Sequence, residues 1–133
     1  MIGGISHSYI WVEDHGRALD FYVRLLGFEV REDRQMGDRR WVTIGRPSQP
    51  ELRVVLSVIG PPLDELAAAH VRAMQAAGQI VAGGLVTTDC RADHADLAAA
   101  GVRFVVEPTE QMWGIEAVLS DDSGNAWGLV QSR

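Results

Sequence analysis

The chain has 133 residues, of which 47% are hydrophobic and 23% charged, the scale and balance of one ordinary folded domain and not of a disordered segment. It carries 12 basic against 18 acidic residues, net -6, with no basic cluster beyond Arg39 and Arg40, so a nucleic-acid partner is not expected. The single cysteine, Cys90, excludes an intrachain disulfide and a cysteine zinc site, and no apolar run approaches about 18 residues, so no membrane partner is expected.

In chain order, positions 1–12 show no basic segment running into an apolar one, which makes the cytoplasm the default expectation. Positions 5–12 are rich in β-branched and aromatic residues and predict a strand. Asp14 is an N-cap candidate, and Ala18, Phe21, Tyr22 and Leu25 recur on one helical face up to Gly27, which suits a helix stop. Strands are predicted over 28–34, 40–45 and 52–59, with a Gly37-Asp38 turn and a proline-containing loop over 46–50. A second helix is predicted after Pro61 and Pro62, burying Leu63, Leu66, Ala67, Val71 and Met74 and ending at Gly78. The first pattern then returns. A strand over 83–88, an Asp89 cap and a helix up to Gly101 precede a strand over 102–107, a loop over 108–114, a strand over 115–120, a tight turn over 121–124 and a last strand over 125–131.

The repeat predicts an α+β fold: two βαβββ modules within one domain, residues 1–133. The first module takes 1–59, a linker helix 60–80 and the second module 81–133. A four-stranded sheet with one helix covers one face only, so two such units are expected to form a curved mixed-sheet cleft. Alternation assigns its lining. His7, Tyr9 and Trp11 would face in from the first strand, and Arg53, Val55 and Ser57 from the fourth. In the second module Gly83, Leu85 and Thr87 would join Ala126, Gly128 and Val130.

Three segments carry a resemblance. They are Ile10-Trp11-Val12-Glu13-Asp14 running into Ala18-Leu19-Asp20-Phe21-Tyr22, then Leu25-Leu26-Gly27-Phe28, and late in the chain Asp121-Asp122-Ser123-Gly124-Asn125. In their order and spacing the chain resembles the vicinal oxygen chelate superfamily of glyoxalase I, extradiol dioxygenases and bleomycin-resistance proteins. The resemblance implies paired βαβββ modules and a homodimer. In metal-dependent members one ligand lies on the first strand and one on the last strand of each module. Carried onto this chain, those positions are His7, Val55, Gly83 and Gly128. Valine and glycine side chains offer no lone pair, and a divalent cation needs several N or O donors, so neither a metal nor another cofactor is expected.

The chemistry-bearing residues each have two readings. His7 is a hydrogen-bonded core histidine or a ligand contact, and Tyr9 and Trp11 fill the core or stack on a ligand. Trp41, on an outer strand, is a dimer contact or a stacking ring, and Trp113, before a strand, belongs to a lid, an interface or a pocket. Arg53 pairs with Glu116 or another carboxylate, or holds an anionic ligand group. Glu116 is a solvated or paired carboxylate, or a general base if desolvated. Val55 and Gly128 would leave an apolar hollow where the metal enzymes have ligands. Cys90 and His94 suit helix packing, while His15 and His70 look exposed. The expected function is metal-independent binding of a small molecule, the sequestering of an apolar or aromatic compound. The alternatives are a metal-dependent lyase, isomerase or dioxygenase of the same superfamily, and an interaction module whose cleft is filled by its own side chains.

Overall fold

The computed structural model describes residues 1–133. Eight strands and three helical segments form two units that each repeat one topology, Met1–Ala68 and Ala69–Arg133. In the first unit β1 (His7–Val12) leads into α1 (His15–Leu19), which continues as a π-helical segment (Asp20–Leu25). Then come β2 (Glu29–Met36), β3 (Arg39–Gly45) and β4 (Arg53–Val58). The boundary between the units falls inside α2 (Glu65–Ala76). The second unit holds β5 (Ile80–Val86), α3 (Cys90–Ala99), β6 (Arg103–Gln111), β7 (Gly114–Ser120) and β8 (Asn125–Ser132).

The sheet orders are β1-β4-β3-β2 and β5-β8-β7-β6. In each, the first strand runs parallel to the last, and the helix between the first and second strands covers one face. Local chemistry starts and stops these helices. The Asp14 carboxylate accepts the Arg17 backbone N–H at 2.8 Å, and Asp89 accepts that of Ala92 at 3.0 Å. Such caps satisfy an orphan helix donor and are worth about 1 kcal/mol each. Gly27 and Gly101 end the two helices with φ of +78° and +102°, a conformation that costs glycine nothing. The wider π turn shows as Leu26 N–H bonded back to the Phe21 carbonyl at 3.1 Å. Phe21 and Tyr22 are both buried there, their rings edge to face at 5.0 Å.

The first core joins those two rings to Ile10, Val12, Val42, Ile44 and Leu56. The second is built on Ala117, Leu119, Trp127, Leu129 and Cys90. His94 packs its ring on Phe104 at 4.5 Å, and the Cys90 thiol donates to the Leu129 carbonyl at 3.5 Å. Both side chains therefore serve helix packing.

Five expectations need correction. The segment 108–114 is not a loop, because β6 runs through Pro108 to Gln111 and turns directly into β7. An edge strand tolerates proline, and β6 is the edge of its sheet. Trp41 is on β3, an inner strand rather than an outer one. On α2 the predicted apolar face is not the buried one: Leu66 is 71% exposed and Met74 is exposed, whereas Ala68 and Gln75 are buried. His15 is half-buried, its Nε2 bonded to the Leu56 carbonyl at 2.8 Å. Finally, an irregularity between Val81 and Gly83 shifts the phase of β5. Gly83 and Leu85 pair with Trp127 and Leu129 on the helix-covered side, so Gly84 and Val86 take the open face.

Candidate functional site

The face of the first sheet opposite α1 gathers the chemistry. Register places His7, Tyr9 and Trp11 beside Arg53, Val55 and Ser57 on adjacent parallel strands. Val55 in turn pairs with Thr43, and Thr43 with Glu32. Trp41 lies two residues from Thr43 and so shares that face.

Three rings stand together on it. His7 meets Tyr9 with centroids 5.2 Å apart and Trp41 at 5.9 Å, and Tyr9 meets Trp41 at 6.4 Å. All three pairs are edge to face, the arrangement that the ring quadrupoles favour. The imidazole is held at both nitrogens, Nδ1 to the Ser6 hydroxyl at 2.8 Å and Nε2 to the Tyr9 hydroxyl at 3.0 Å. Tyr9 is nonetheless 60% exposed. A wall of rings that is internally organised yet open to solvent results.

Glu32 ties this wall to the sheet. Its Oε1 accepts from the Trp41 indole N–H at 3.4 Å and from the Thr43 hydroxyl at 3.3 Å. The same oxygen lies 3.8 Å from Arg53 Nε, while Oε2 accepts from Arg34 Nη2 at 2.7 Å. These donors, the Trp41 indole first and then the Arg34 and Arg53 charges, hold the carboxyl below the usual glutamate range. Arg53 therefore has a carboxylate partner, and it is Glu32 and not Glu116. Sequence reading missed both Glu32 and Thr43. A register shift between Val30 and Glu32 breaks the alternation of β2, so counting residues along the strand does not put Glu32 beside Trp41.

The second unit has a different open face. Gly84, Val86, Ala126, Gly128, Val130, Val118 and Glu116 share it through their registers. Its centre is apolar, with Glu116, Thr109, Ser120 and Arg103 on the same face toward β6, and Val86 is 84% exposed. Gly128 makes room for that carboxylate: a Cβ at this position would sit 3.0 Å from Glu116 Oε1. Trp113 is in the β6–β7 turn, exposed. At the end of α2 a hollow of about 180 Å³ is lined by Gln75, Arg103, Val118, Ser120 and Ala126. It is smaller than the roughly 300 Å³ at which small-molecule pockets begin.

Of the residues singled out from sequence, His7, Tyr9, Trp11, Trp41, Arg53 and Val55 lie on one face of the first unit. Glu116, Gly128 and Trp113 lie in the second. The donor chemistry is equally plain. Val55 presents hydrocarbon, Gly84 and Gly128 present no side chain, and both nitrogens of His7 are hydrogen-bonded. No three His, Cys, Asp or Glu side chains come together in a group that would hold a metal ion. No helix is long and apolar enough to cross a membrane.

Residues 4–129 match the Glyoxalase/Bleomycin resistance protein/Dioxygenase superfamily. The chain belongs to that superfamily. Its two four-stranded mixed sheets and three helices are the superfamily's α+β fold. Among solved structures it is similar to UcmS2, with a TM-score of 0.93 and 44% identity over 99% of this chain and 100% of that one. It is also similar to TnmS3, an antibiotic binding protein from Streptomyces sp. CB03234, with a TM-score of 0.79 and 28% identity over 99% and 98% of the two chains. An uncharacterized protein of Shewanella frigidimarina (strain NCIMB 400) is 33% identical over 96% of this chain and 92% of its own length.

Proposed function

We propose that this superfamily member is a metal-independent small-molecule-binding protein that sequesters an apolar or aromatic compound on the open face of its first sheet. The observation that carries the reading is the wall of His7, Tyr9 and Trp41, held edge to face yet open to solvent. Rings fixed in advance offer a large apolar surface without further loss of rotamer freedom on binding. Trp11 extends that surface and Arg53 sits at its edge, whereas Val55, expected from sequence to touch the ligand, is 2% exposed and buried behind the rings. The similarity to an antibiotic binding protein supports the same class of activity.

A resident divalent cation does not fit the donors at the family positions, which are valine, glycine and a histidine engaged at both nitrogens. Trp113 and Gly128, in the second unit, are not assigned to that face, and the protein acts as a homodimer. Glu116 has no catalytic role in this reading.

The test is titration of the purified protein with planar aromatic compounds, followed by tryptophan fluorescence. Saturable quenching whose amplitude falls in Trp41→Phe and whose affinity weakens at least about tenfold in Tyr9→Ala is expected. Stoichiometric metal retained through dialysis, together with binding that requires it, would overturn the reading. Light scattering on the eluting peak reads the dimer directly.

A further inference from the structure

We propose that the ligand of this face carries an oxyanion next to its aromatic ring, and that Arg53 is the residue that reads it. The inference rests on the binding role proposed above and names the chemistry of its ligand.

The ground is the hydrogen-bonding state of the arginines. In the first unit Arg24, Arg31, Arg34, Arg39, Arg40 and Arg46 each donate from a terminal guanidinium nitrogen to a carboxylate or a backbone carbonyl. Arg53 does not. Its one contact is from Nε to Glu32 Oε1 at 3.8 Å, beyond hydrogen-bonding distance, and both terminal nitrogens keep their protons for another partner. The side chain is 46% exposed. Glu32 stands on the Nε side of the guanidinium, leaving the two-pronged end free. That end matches the two oxygens of a carboxylate or the paired oxygens of a phenolate and its neighbouring carbonyl.

Position completes the case. Arg53 is the lateral partner of His7, so its free donors lie at the margin of the ring wall. A ligand seated against the rings would bring a substituent on its edge within reach. The local charge agrees. The open face of β2, β3 and β4 holds Arg31, Arg34, Arg39 and Arg53 against Glu29 and Glu32, a positive excess in a chain whose net charge is -6. A cation is repelled there and an anion is drawn in, against the sign of the protein as a whole.

Three probes of one shape decide it: 2-naphthoate, its neutral amide and 2-naphthylmethylammonium, each titrated at pH 7 with tryptophan quenching as the readout. The carboxylate is expected to bind at least about tenfold more tightly than the amide, with the ammonium weakest. Arg53→Gln is expected to abolish the preference for the carboxylate over the amide, and Arg53→Lys to restore part of it. Added salt weakens the carboxylate and not the amide. Equal affinity for all three probes, or a preference for the ammonium, would overturn the role of Arg53 while leaving the binding role intact. Quenching by none of the three would overturn both. The comparison among probes uses the unaltered protein, so it does not depend on how the variants fold.

Discussion

The indole of Trp41 donates its hydrogen to the carboxylate of Glu32 on the neighbouring antiparallel strand, at 3.4 Å. The bond sets the plane of the indole and, through the contacts of Trp41 with His7 and Tyr9, the packing of the ring wall. Its energetic signature is an acid one. Glu32 titrates below the ordinary glutamate range in the folded chain. The unfolded chain therefore binds the proton first, and stability rises with pH across the interval between the two values. The contribution of Glu32 is complete above about 4.3 and is lost as pH falls through the depressed folded value. Glu32→Gln should be less stable than the parent at neutral pH, with the gap narrowing as pH falls below about 4.3. Urea unfolding at a series of pH values reads this, and a gap independent of pH would contradict it.

Two adjacent glycines in β5 should behave in opposite ways. A Cβ on Gly83 would lie 2.9 Å from Cζ3 of the buried Trp127 ring, whereas one on Gly84 meets nothing within 4 Å. Gly83→Ala should cost about 1–3 kcal/mol by forcing the indole aside, and Gly84→Ala should change stability by less than about 1 kcal/mol. Denaturant midpoints of the two variants, compared at constant m-value, test the pair.

The turn before β8 depends on one carboxylate. Asp121, buried, accepts the backbone N–H groups of Ser123 at 2.9 Å and Asn125 at 2.8 Å on Oδ1, and the Asn125 side-chain amide at 2.8 Å on Oδ2. Asp121→Ala strands these donors and should destabilise by about 3 kcal/mol. Asp121→Asn keeps one acceptor but turns its amide toward that of Asn125, and should fall between the two. Thermal unfolding ranks the three proteins.

Cys90 should be inert in the native protein. It is fully buried, and burial first and the Asp93 charge second push its thiol above the usual range. The thiolate is the reactive form, and it is both scarce and out of reach here. A disulfide reagent at neutral pH should modify the native chain at least about a hundredfold more slowly than the urea-unfolded chain, which absorbance of the released thiol follows directly.

Much of this architecture was legible along the chain. The caps at Asp14 and Asp89 and the stops at Gly27 and Gly101 act within four residues of their targets, so local chemistry announces them. The order and spacing of segments 10–22, 25–28 and 121–125 carried the superfamily, and the alternation of β1 and β4 put His7, Tyr9, Trp11, Arg53 and Val55 on one face. The binding roles given to these residues remain proposals. The face of α2 was misread because its apolar residues run around much of the helix, and periodicity does not say which side meets a sheet.

Composition, local capping and the two-residue period determine which elements form and which residues share a face. These depend on interactions a few residues apart. The partners across strands do not. Whether Arg53 meets Glu32 or Glu116, and whether Gly83 or Gly84 takes the open face, turns on a single-residue shift in β2 and in β5, and such a shift exchanges every side chain between the two faces of a sheet. Only the folded sheet, in which the ladder hydrogen bonds select one register, decides those pairings.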